Sequence, residues 1–392
     1  MGLQVDRRSF LKAASAGIGA LGLGLAPAHA NIGGTTPYNG PNVVIIRFGG
    51  GVRRLETVDS EHTYAPYFRH ELTKRGVLFP YMEIAHIDGV ETSHGQGTLH
   101  ILTGKYHGYI NKSEGPLQER FEPQVPTMFE YLRKNYAIPN HETLIINGED
   151  RTQEEFYSFS NHHLFGVNFR SNTLSLYRYK VHLLKCQIEE GAFDGNELAQ
   201  KQKELRNLEQ LDYRAGEPEA SPEIDAFWER WRGYYGTTGL VNPRGDALLT
   251  ELAVRAMREL RPKLMMVNFN DPDYVHWGNP THYTRGIMSI DEGIRRIVET
   301  ADNDDAYADN TVFVIVPDCG RDSNSAMAVP FQHHFNTRAA HDIFALILGP
   351  GVPKGLVVDR VVDQTSLAAT VGGFMGFRAQ FAEGDALDEA FA

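Results

Sequence analysis

Short apolar runs that alternate with segments of helical periodicity constrain the fold of this chain more than any other feature. The runs stand at residues 42–48 (NVVIIRF), 142–148 (ETLIING), 262–270 (PKLMMVNFN), 310–318 (NTVFVIVPD) and 342–351 (DIFALILGPG). Runs of this length without polar alternation are typical of parallel strands that are buried on both faces. Because helical segments separate them, they predict an α/β fold: a doubly wound, mostly parallel sheet with helices on both faces.

The segment at about 150–245 interrupts this alternation. It is rich in aromatic and charged residues, and its stretch NELAQKQKELRNLEQL (196–211) places leucines on one face of a helix. We therefore expect one domain over residues 31–392, with a mostly helical cap inserted at about 150–245.

The first thirty residues are typical of an export signal rather than of the folded domain. A charged start with Arg7 and Arg8, an apolar middle and a small-residue end at residues 28–30 resemble a twin-arginine signal peptide over residues 1–30. This predicts recognition by the twin-arginine export machinery, a periplasmic or extracellular location, and no stable membrane span in the mature protein. An uncleaved anchor is the alternative.

Charge and cysteine content exclude several classes of protein. The chain carries a formal net charge of −12, and removal of the leader, with its net charge of about +2, leaves about −14. An acidic protein without a basic run repels nucleic acid and anionic lipid, so neither is an expected partner. The sequence contains two cysteines, Cys186 and Cys319, so no disulfide framework is expected.

Polar and charged residues follow three of these apolar runs and also a further predicted strand, which ends the stretch YFRHELTKRGVLFPYMEI (67–84). After the run 262–270 come Asp271, Asp273, His276 and His282; the other stretches are GGGVRR, AHIDGVETSHGQG and PDCGRD. Because open α/β sheets place functional groups at the carboxyl ends of their strands, we expect these side chains to converge. Carboxylates and imidazoles together are ligands for a divalent cation. The alternative is a solvated loop in which an aspartate caps the next helix.

These stretches stand in a fixed order that resembles a known family. The order is SHGQGTLHILTGKYHG, DPDYVHWGNPTHYTRGIMSIDEGI, VFVIVPDCGRD and HHFNTRAAHDIFALILGPGVPKG. The series resembles the alkaline phosphatase superfamily, which includes sulfatases, nucleotide pyrophosphatases and phosphoglycerate mutases. The resemblance implies a small-molecule ester substrate, hydrolysis or transfer of phosphate or sulfate, and usually two divalent metal ions around a nucleophile.

The resemblance also implies metal ligands. Asp273 and His276 resemble the ligands of one metal, with Asp271 as the alternative carboxylate. The third ligand is His334, its neighbour His333, or His341. Asp318 resembles a ligand of the second metal, and Cys319 stands beside it where histidine is usual. Cys319 could be a zinc ligand, because a deprotonated thiol binds zinc well. It could equally be a small buried side chain of the core. Zinc is the first candidate metal, with manganese or calcium as alternatives.

The chain departs from the superfamily pattern at the second metal and at the nucleophile. Gly49 stands where the first strand usually ends in aspartate. The usual spacing places His94 at the nucleophile position, with Ser93 and Thr92 before it; Ser93 is equally suited to cap the following helix. The Cys-x-Pro-Ser-Arg signature of sulfatases is missing, which argues against a sulfatase.

Anion-binding candidates and two functional hypotheses complete the expectations. Backbone amides around Gly50 and the guanidinium groups of Arg53 and Arg321 are candidates to hold the ester anion, although the glycines also suit a tight turn. One hypothesis is an exported metal-dependent hydrolase of phosphate esters, with sulfate esters as the second choice, in which Ser93 or His94 assists. The alternative is a catalytically inactive binding or scaffold protein on the same fold.

Overall fold

The structure is a computed structural model that describes residues 34–113, 120–215, 221–240, 245–334 and 336–392. The signal peptide expected at residues 1–30 lies outside the described residues. Within the described part of the chain, no helix combines the length and apolar character needed to cross a membrane.

One large sheet organises the described residues. It has nine strands in the order β12-β2-β11-β8-β1-β7-β5-β6, with β13 beside β2. The strands of the chain are β1 (Asn42–Arg47), β2 (Gly76–Glu83), β3 (Tyr109–Asn111), β4 (Phe121–Pro123), β5 (Thr143–Asn147), β6 (Asn172–Leu174), β7 (Leu264–Asn268), β8 (Thr311–Val316), β9 (Asp322–Ser323), β10 (Phe331–Gln332), β11 (Asp342–Leu348), β12 (Leu356–Val357) and β13 (Val362–Asp363). The pairs β3–β4 and β9–β10 form two small separate sheets.

Strand β1 lies in the middle of the sheet and is parallel to both of its neighbours, β7 and β8. All of its residues are buried, as an uninterrupted apolar run predicts for a strand covered on both faces. Val44 and Ile46 belong to the core on one face of the sheet, and Val43 and Ile45 belong to the core on the other.

Helices cover both faces of this sheet. In chain order they are α1 (Arg54–Thr57), α2 (His94–Thr103), α3 (Met128–Asn135), α4 (Glu154–Ser158), α5 (Leu176–Glu189), α6 (Gly195–Glu209), α7 (Pro222–Tyr235), α8 (Asp246–Leu260), α9 (Pro280–Asp302), α10 (Arg338–His341) and α11 (Ser366–Met375). Short helical turns lie at Tyr67–Glu71, Leu72–Arg75, Asn140–Glu142, Arg151–Gln153, Gly166–Phe169, Asp271–Tyr274 and Asp388–Ala390. Helices α8 and α9 pack into one core, and α2, α3 and α11 into the other. The predicted α/β fold is confirmed.

Strand β11 differs from the parallel expectation. It pairs antiparallel with both β8 and β2, whereas the other pairs of the main sheet are parallel. Because β11 runs in the opposite direction, its first residue, Asp342, lies at the edge where the parallel strands end. The histidine-rich segment that precedes β11 therefore reaches the same edge as the loops that follow β1, β7 and β8.

The segment 150–245 contains helices α4 to α7 together with the short strand β6. Strand β6 joins the main sheet parallel to β5, so this segment contributes to the sheet as well as to its covering. The aromatic side chains of Tyr179, Trp228 and Trp231 are buried between α5 and α7. Its description as an inserted cap stays a prediction.

Candidate functional site

The polar loops at the carboxyl ends of β1, β7 and β8 converge with the first turn of α2. The glycine turn 49–51 follows β1, the helical turn Asp271–Tyr274 follows β7, and Asp318 follows β8. The approach is close, because a Cβ atom on Gly50, whose φ is +85°, would lie 2.5 Å from the amide nitrogen of Asp273. Glycine at this position therefore lets the first loop contact the second.

One carboxylate oxygen of Asp273 contacts three histidines. Oδ1 of Asp273 lies 2.8 Å from Nε2 of His94, 3.0 Å from Nε2 of His276 and 3.2 Å from Nε2 of His333. Burial alone would raise the pKa of Asp273, but the charge of His94 and the hydrogen bonds from the imidazoles hold it well below its usual value. The residue is therefore a carboxylate at neutral pH.

His94 bridges two carboxylates. Its Nδ1 lies 2.7 Å from Oδ2 of Asp318, and its Nε2 contacts Asp273. Burial alone would lower the pKa of His94, but Asp273 and Asp318 raise it well above its usual value. Both ring nitrogens face acceptors, so the geometry favours the doubly protonated ring, which donates on both sides.

Asp318 is fully buried, and protein groups occupy both of its oxygens. Oδ1 accepts from the amides of Cys319 at 2.8 Å and Gly51 at 3.4 Å, while Oδ2 faces His94 and lies 3.4 Å from Nη1 of Arg47. Burial alone would raise the pKa of this carboxyl, but His94 and Arg47 hold it well below its usual value. A metal ion would have to displace these donors.

Arg47 lies at this site although the sequence analysis did not predict it there. It is fully buried in β1 and donates from Nη1 to Glu149 at 2.9 Å and to Thr98 at 2.6 Å. Tyr157 completes the network by donating to Glu149 at 2.8 Å. The available signal was the single charged residue within the apolar run NVVIIRF, because a buried arginine requires buried partners.

Helix α2 approaches the end of β8 closely. A Cβ atom on Gly97 would overlap the backbone carbonyl of Asp318. Glycine at this position therefore permits the distance at which His94, one turn earlier on α2, reaches Asp318.

Cys319 is buried beside His94 as a thiol. Its Sγ lies 4.0 Å from Nδ1 of His94, and burial together with the charge of Asp318 raises its pKa to about 12. His94, Cys319 and His333 have ligand atoms within 4.8 Å of one another, so they form one possible metal-binding group. Such a group would need the thiol to lose its proton beside a buried carboxylate, which is unfavourable.

A second possible group fits a divalent metal better. The ligand atoms of Asp273, His276 and His333 also lie within 4.8 Å of one another. One carboxylate with two imidazoles is a donor set of the kind found in catalytic zinc sites, where a fourth position is left for water or substrate. Burial, the charge of His94 and the arginine Arg321 keep the pKa of His333 well below its usual value, so its imidazole is neutral and able to bind a metal.

His334 lies beside this group rather than within it. Its ring is 4.1 Å from the ring of His333 and stacks parallel to that of His276 at 6.0 Å. Burial and the charge of His94 lower its pKa to about 4. The geometry thus favours His333 over the expected His334 as the third ligand.

His341 is placed elsewhere. Its ring stacks on His86 at 3.5 Å, and its Nδ1 lies 2.9 Å from the carbonyl of Ile84. The groups of ligand atoms found among the described residues do not include His341. The expectation that it binds the metal is not supported.

The two hydroxyl candidates for the nucleophile are engaged in local structure. Ser93 is buried, and its Oγ accepts from the amide of Gln96 at 3.3 Å as the N-cap of α2. The hydroxyl of Thr92 donates to the carbonyl of His333. Of the three residues considered at this position, His94 alone extends to the carboxylates of the cluster.

The arginines expected to bind an anion have other partners. Arg321 is fully buried and donates to the carbonyls of Val275 at 2.6 Å, Gly51 at 2.8 Å and Gly50. It fixes the glycine turn to the loop that carries Asp273, which is a positioning role. Arg53 pairs with Glu56. Gly50 contributes an accepting carbonyl and a close backbone contact, as expected of a tight turn.

Comparisons with solved structures agree with the α/β fold. No family model and no curated protein matches the sequence. Alkaline phosphatase PafA has a TM-score of 0.56 at 11% identity over 90% of this chain and 99% of its own. The lipoteichoic acid synthase LtaP from Listeria monocytogenes has 0.51 at 12% identity, over 90% and 76% of the two chains. An alkaline phosphatase superfamily protein from Vibrio parahaemolyticus has 0.51 at 15% identity, over 99% and 80%.

The protein therefore has the fold of these alkaline phosphatase superfamily structures, and the resemblance expected from the ordered motifs is confirmed for the fold.

Proposed function

We propose that this protein is a metal-dependent hydrolase of phosphate esters, with sulfate esters as the second choice, that acts after export through the twin-arginine pathway in the periplasm or outside the cell. The observation that carries the proposal is the convergence of His94, His276 and His333 on one oxygen of Asp273. Structural neighbours named as a phosphatase and as sulfatases support ester hydrolysis on this fold.

One metal ion, with zinc first and manganese or calcium as alternatives, is the expected cofactor. Asp273, His276 and His333 would hold it, because they supply a carboxylate and two imidazoles within one small volume. When bound, such an ion polarises an ester oxygen and lowers the pKa of a coordinated water. Asp318 is not assigned to a second ion, because Arg47, His94 and two amides already occupy its oxygens.

The residues around this group would orient and neutralise the anionic substrate. With the hydroxyls of Ser93 and Thr92 engaged locally, water is the attacking group in this proposal. His94 donates to Asp273 and Asp318, and its positive charge at the cluster would favour an anionic ester there. Arg321 holds the loops of Asp273 and Gly51 at a fixed distance and so preserves the geometry of the site.

The second candidate function is a non-catalytic binding protein. It is favoured because the polar atoms of the cluster already bind one another: both nitrogens of His94 and both oxygens of Asp318 have protein partners. In this case the same fold would bind a ligand or a partner protein without turnover.

Metal analysis and an ester panel on three proteins test the proposal. The mature chain, the variant His276→Ala and the variant His282→Ala are purified without chelator. His282 lies six residues further along the chain, in the first turn of α9, and is exposed, so it is a matched control. We expect about one equivalent of metal and phosphoesterase activity in the wild type and in His282→Ala, and loss of both in His276→Ala. A metal-free, inactive wild type with an intact fold would overturn the proposal and leave the binding function.

A further inference from the structure

A second group of metal-binding side chains lies away from the central cluster, on two neighbouring helices. His182 and Cys186 stand on α5, and Glu229 stands on α7. Nε2 of His182 lies 2.8 Å from Oε1 of Glu229, and Sγ of Cys186 lies 3.5 Å from each of these two atoms. This group shares no residue with the central cluster.

The backbone fixes the arrangement. Residues four apart on a helix project from the same face, so His182 and Cys186 are adjacent by sequence spacing alone. The two helices are held together beneath them by aromatic packing, because the rings of Tyr179 on α5 and Trp228 on α7 are both buried and 5.6 Å apart. Glu229, the residue after Trp228, is thereby brought to the histidine and the cysteine.

Two of the three separations match those of a tetrahedral zinc site. Zinc–nitrogen and zinc–oxygen bonds of about 2.1 Å and zinc–sulfur bonds of about 2.3 Å place neighbouring ligand atoms about 3.4–3.6 Å apart. Both distances from Cys186 are 3.5 Å. The distance between His182 and Glu229 is shorter, but the Glu229 side chain is 54% exposed and can rotate outward.

Charge also suits a dication. The guanidinium of Arg232 is paired with both oxygens of Glu190, at 2.8 and 2.9 Å. A cysteine releases its proton when it binds a metal ion, and the resulting thiolate and the Glu229 carboxylate would together balance two positive charges.

We propose that His182, Cys186 and Glu229 form a zinc-binding site that joins α5 to α7 at the surface of the protein. The three side chains supply a nitrogen, a sulfur and an oxygen ligand, and solvent water completes the coordination. The site stabilises the helical segment between β6 and α8. It is independent of the proposed hydrolysis.

Cobalt(II) is the probe that tests this site, because a thiolate ligand gives cobalt an intense charge-transfer absorption that imidazole and carboxylate ligands do not give. The sequence has two cysteines, so two single variants assign the band. Metal-free full-length mature protein is titrated as wild type, Cys186→Ser and Cys319→Ser. We expect the band in the wild type and in Cys319→Ser, its loss in Cys186→Ser, and displacement of the cobalt by zinc.

Two further variants test the remaining ligands. Loss of a residue that only supports a ligand weakens metal binding by about 10–100-fold, so loss of a direct ligand in His182→Gln or Glu229→Gln should weaken cobalt binding at least about tenfold. Circular dichroism checks that each variant is folded. Absence of the band from the wild type, its persistence in Cys186→Ser, or unchanged affinity in folded Glu229→Gln would overturn the proposal. A band that depends on Cys319 would place the thiolate ligand in the central cluster instead.

Discussion

Arg47 is a buried cation held between two buried carboxylates, and its removal has a large predicted effect. Its Nη1 lies 2.9 Å from Glu149 and 3.4 Å from Asp318, and the exposed fractions of the three side chains are 0%, 7% and 0%. At an effective dielectric constant of about 20, the attractions are about 6 and about 5 kcal/mol. Much of this offsets the desolvation of the charges, so the net contribution of the network is smaller.

The substitution Arg47→Met keeps most of the buried volume but leaves Glu149 and Asp318 without their shared cation. Breaking a buried ion pair by removing one partner costs about 3–5 kcal/mol of unfolding free energy, because a buried charge is left uncompensated. The double variant Arg47→Met/Glu149→Gln should recover part of this loss, because it removes one of the two buried carboxylate charges that Arg47→Met leaves without a cation. With the single variant Glu149→Gln measured as well, the four proteins form a double-mutant cycle that gives the coupling between the two side chains.

Urea unfolding followed by circular dichroism gives these free energies. The control is Arg75→Met, which breaks a pair of similar geometry with Asp302 at 2.8 Å whose side chains are 42% and 43% exposed. Exposed pairs contribute about 0–1 kcal/mol, so this variant should be nearly neutral. Equal losses in Arg47→Met and Arg75→Met, or no recovery in the double variant, would refute the assigned role of Arg47.

Three further predictions concern stability. Burial alone would raise the pKa of Asp212, but the arginines Arg178 and Arg151 lower it to about 2. The pKa of Asp212 in the folded protein is below the ordinary 3.8, so the residue stabilises the fold by about 2 kcal/mol above pH 3.8 and loses this contribution as the pH falls toward 2. In Asp212→Asn, acid unfolding should therefore lack the loss of stability between pH 3.8 and pH 2. Gly97→Ala should lower the unfolding free energy by about 1–3 kcal/mol, because its Cβ would overlap the backbone carbonyl of Asp318. Thermal unfolding measures this loss, and Gly233→Ala is the control because a Cβ atom at that position meets no neighbouring atom. Ser93→Ala should cost about 1 kcal/mol by loss of the helix cap, and it should leave any phosphoesterase activity in place, because water attacks in the proposed reaction.

The apolar runs of the sequence located the strands well but carried no information about their direction. The run 42–48 became β1 (Asn42–Arg47), and the run 262–270 contains β7 (Leu264–Asn268). Apolar character reports burial, which is the same for parallel and antiparallel strands in the interior of a covered sheet. The reversal of β11 (Asp342–Leu348) therefore could not be predicted from its residues.

The candidate site could be predicted as a set of loops but not as a set of contacts. Strand ends bring Asp273 and Asp318 to one edge because of the sheet topology alone. The choice between His333 and His334 depends on which way two adjacent side chains point in an irregular segment, and no periodicity fixes this. Arg321 was predicted to bind an anion because the sequence gives its charge. The sequence does not give the backbone carbonyls to which it donates.

Charge explains why the centre is expected to hold one metal rather than two. Gly49, which follows β1, supplies no carboxylate at the position where the resemblance implies aspartate, and Arg47, the last residue of β1, adds a buried positive charge. A dication within about 4 Å of that guanidinium would be repelled by about 8 kcal/mol at an effective dielectric constant of about 20. Asp318 has Arg47 and His94 on the same oxygen, so a metal at Asp318 would meet this repulsion directly. Oδ1 of Asp273 also faces cations, with His94 at 2.8 Å and Arg321 at 3.9 Å, but His276 and His333 lie beside it as further ligands. The groups of ligand atoms found among the described residues do not include Asp318. Gly49, which offers no carboxylate, and the charge of Arg47 thus act in the same direction, because both disfavour a second metal at Asp318.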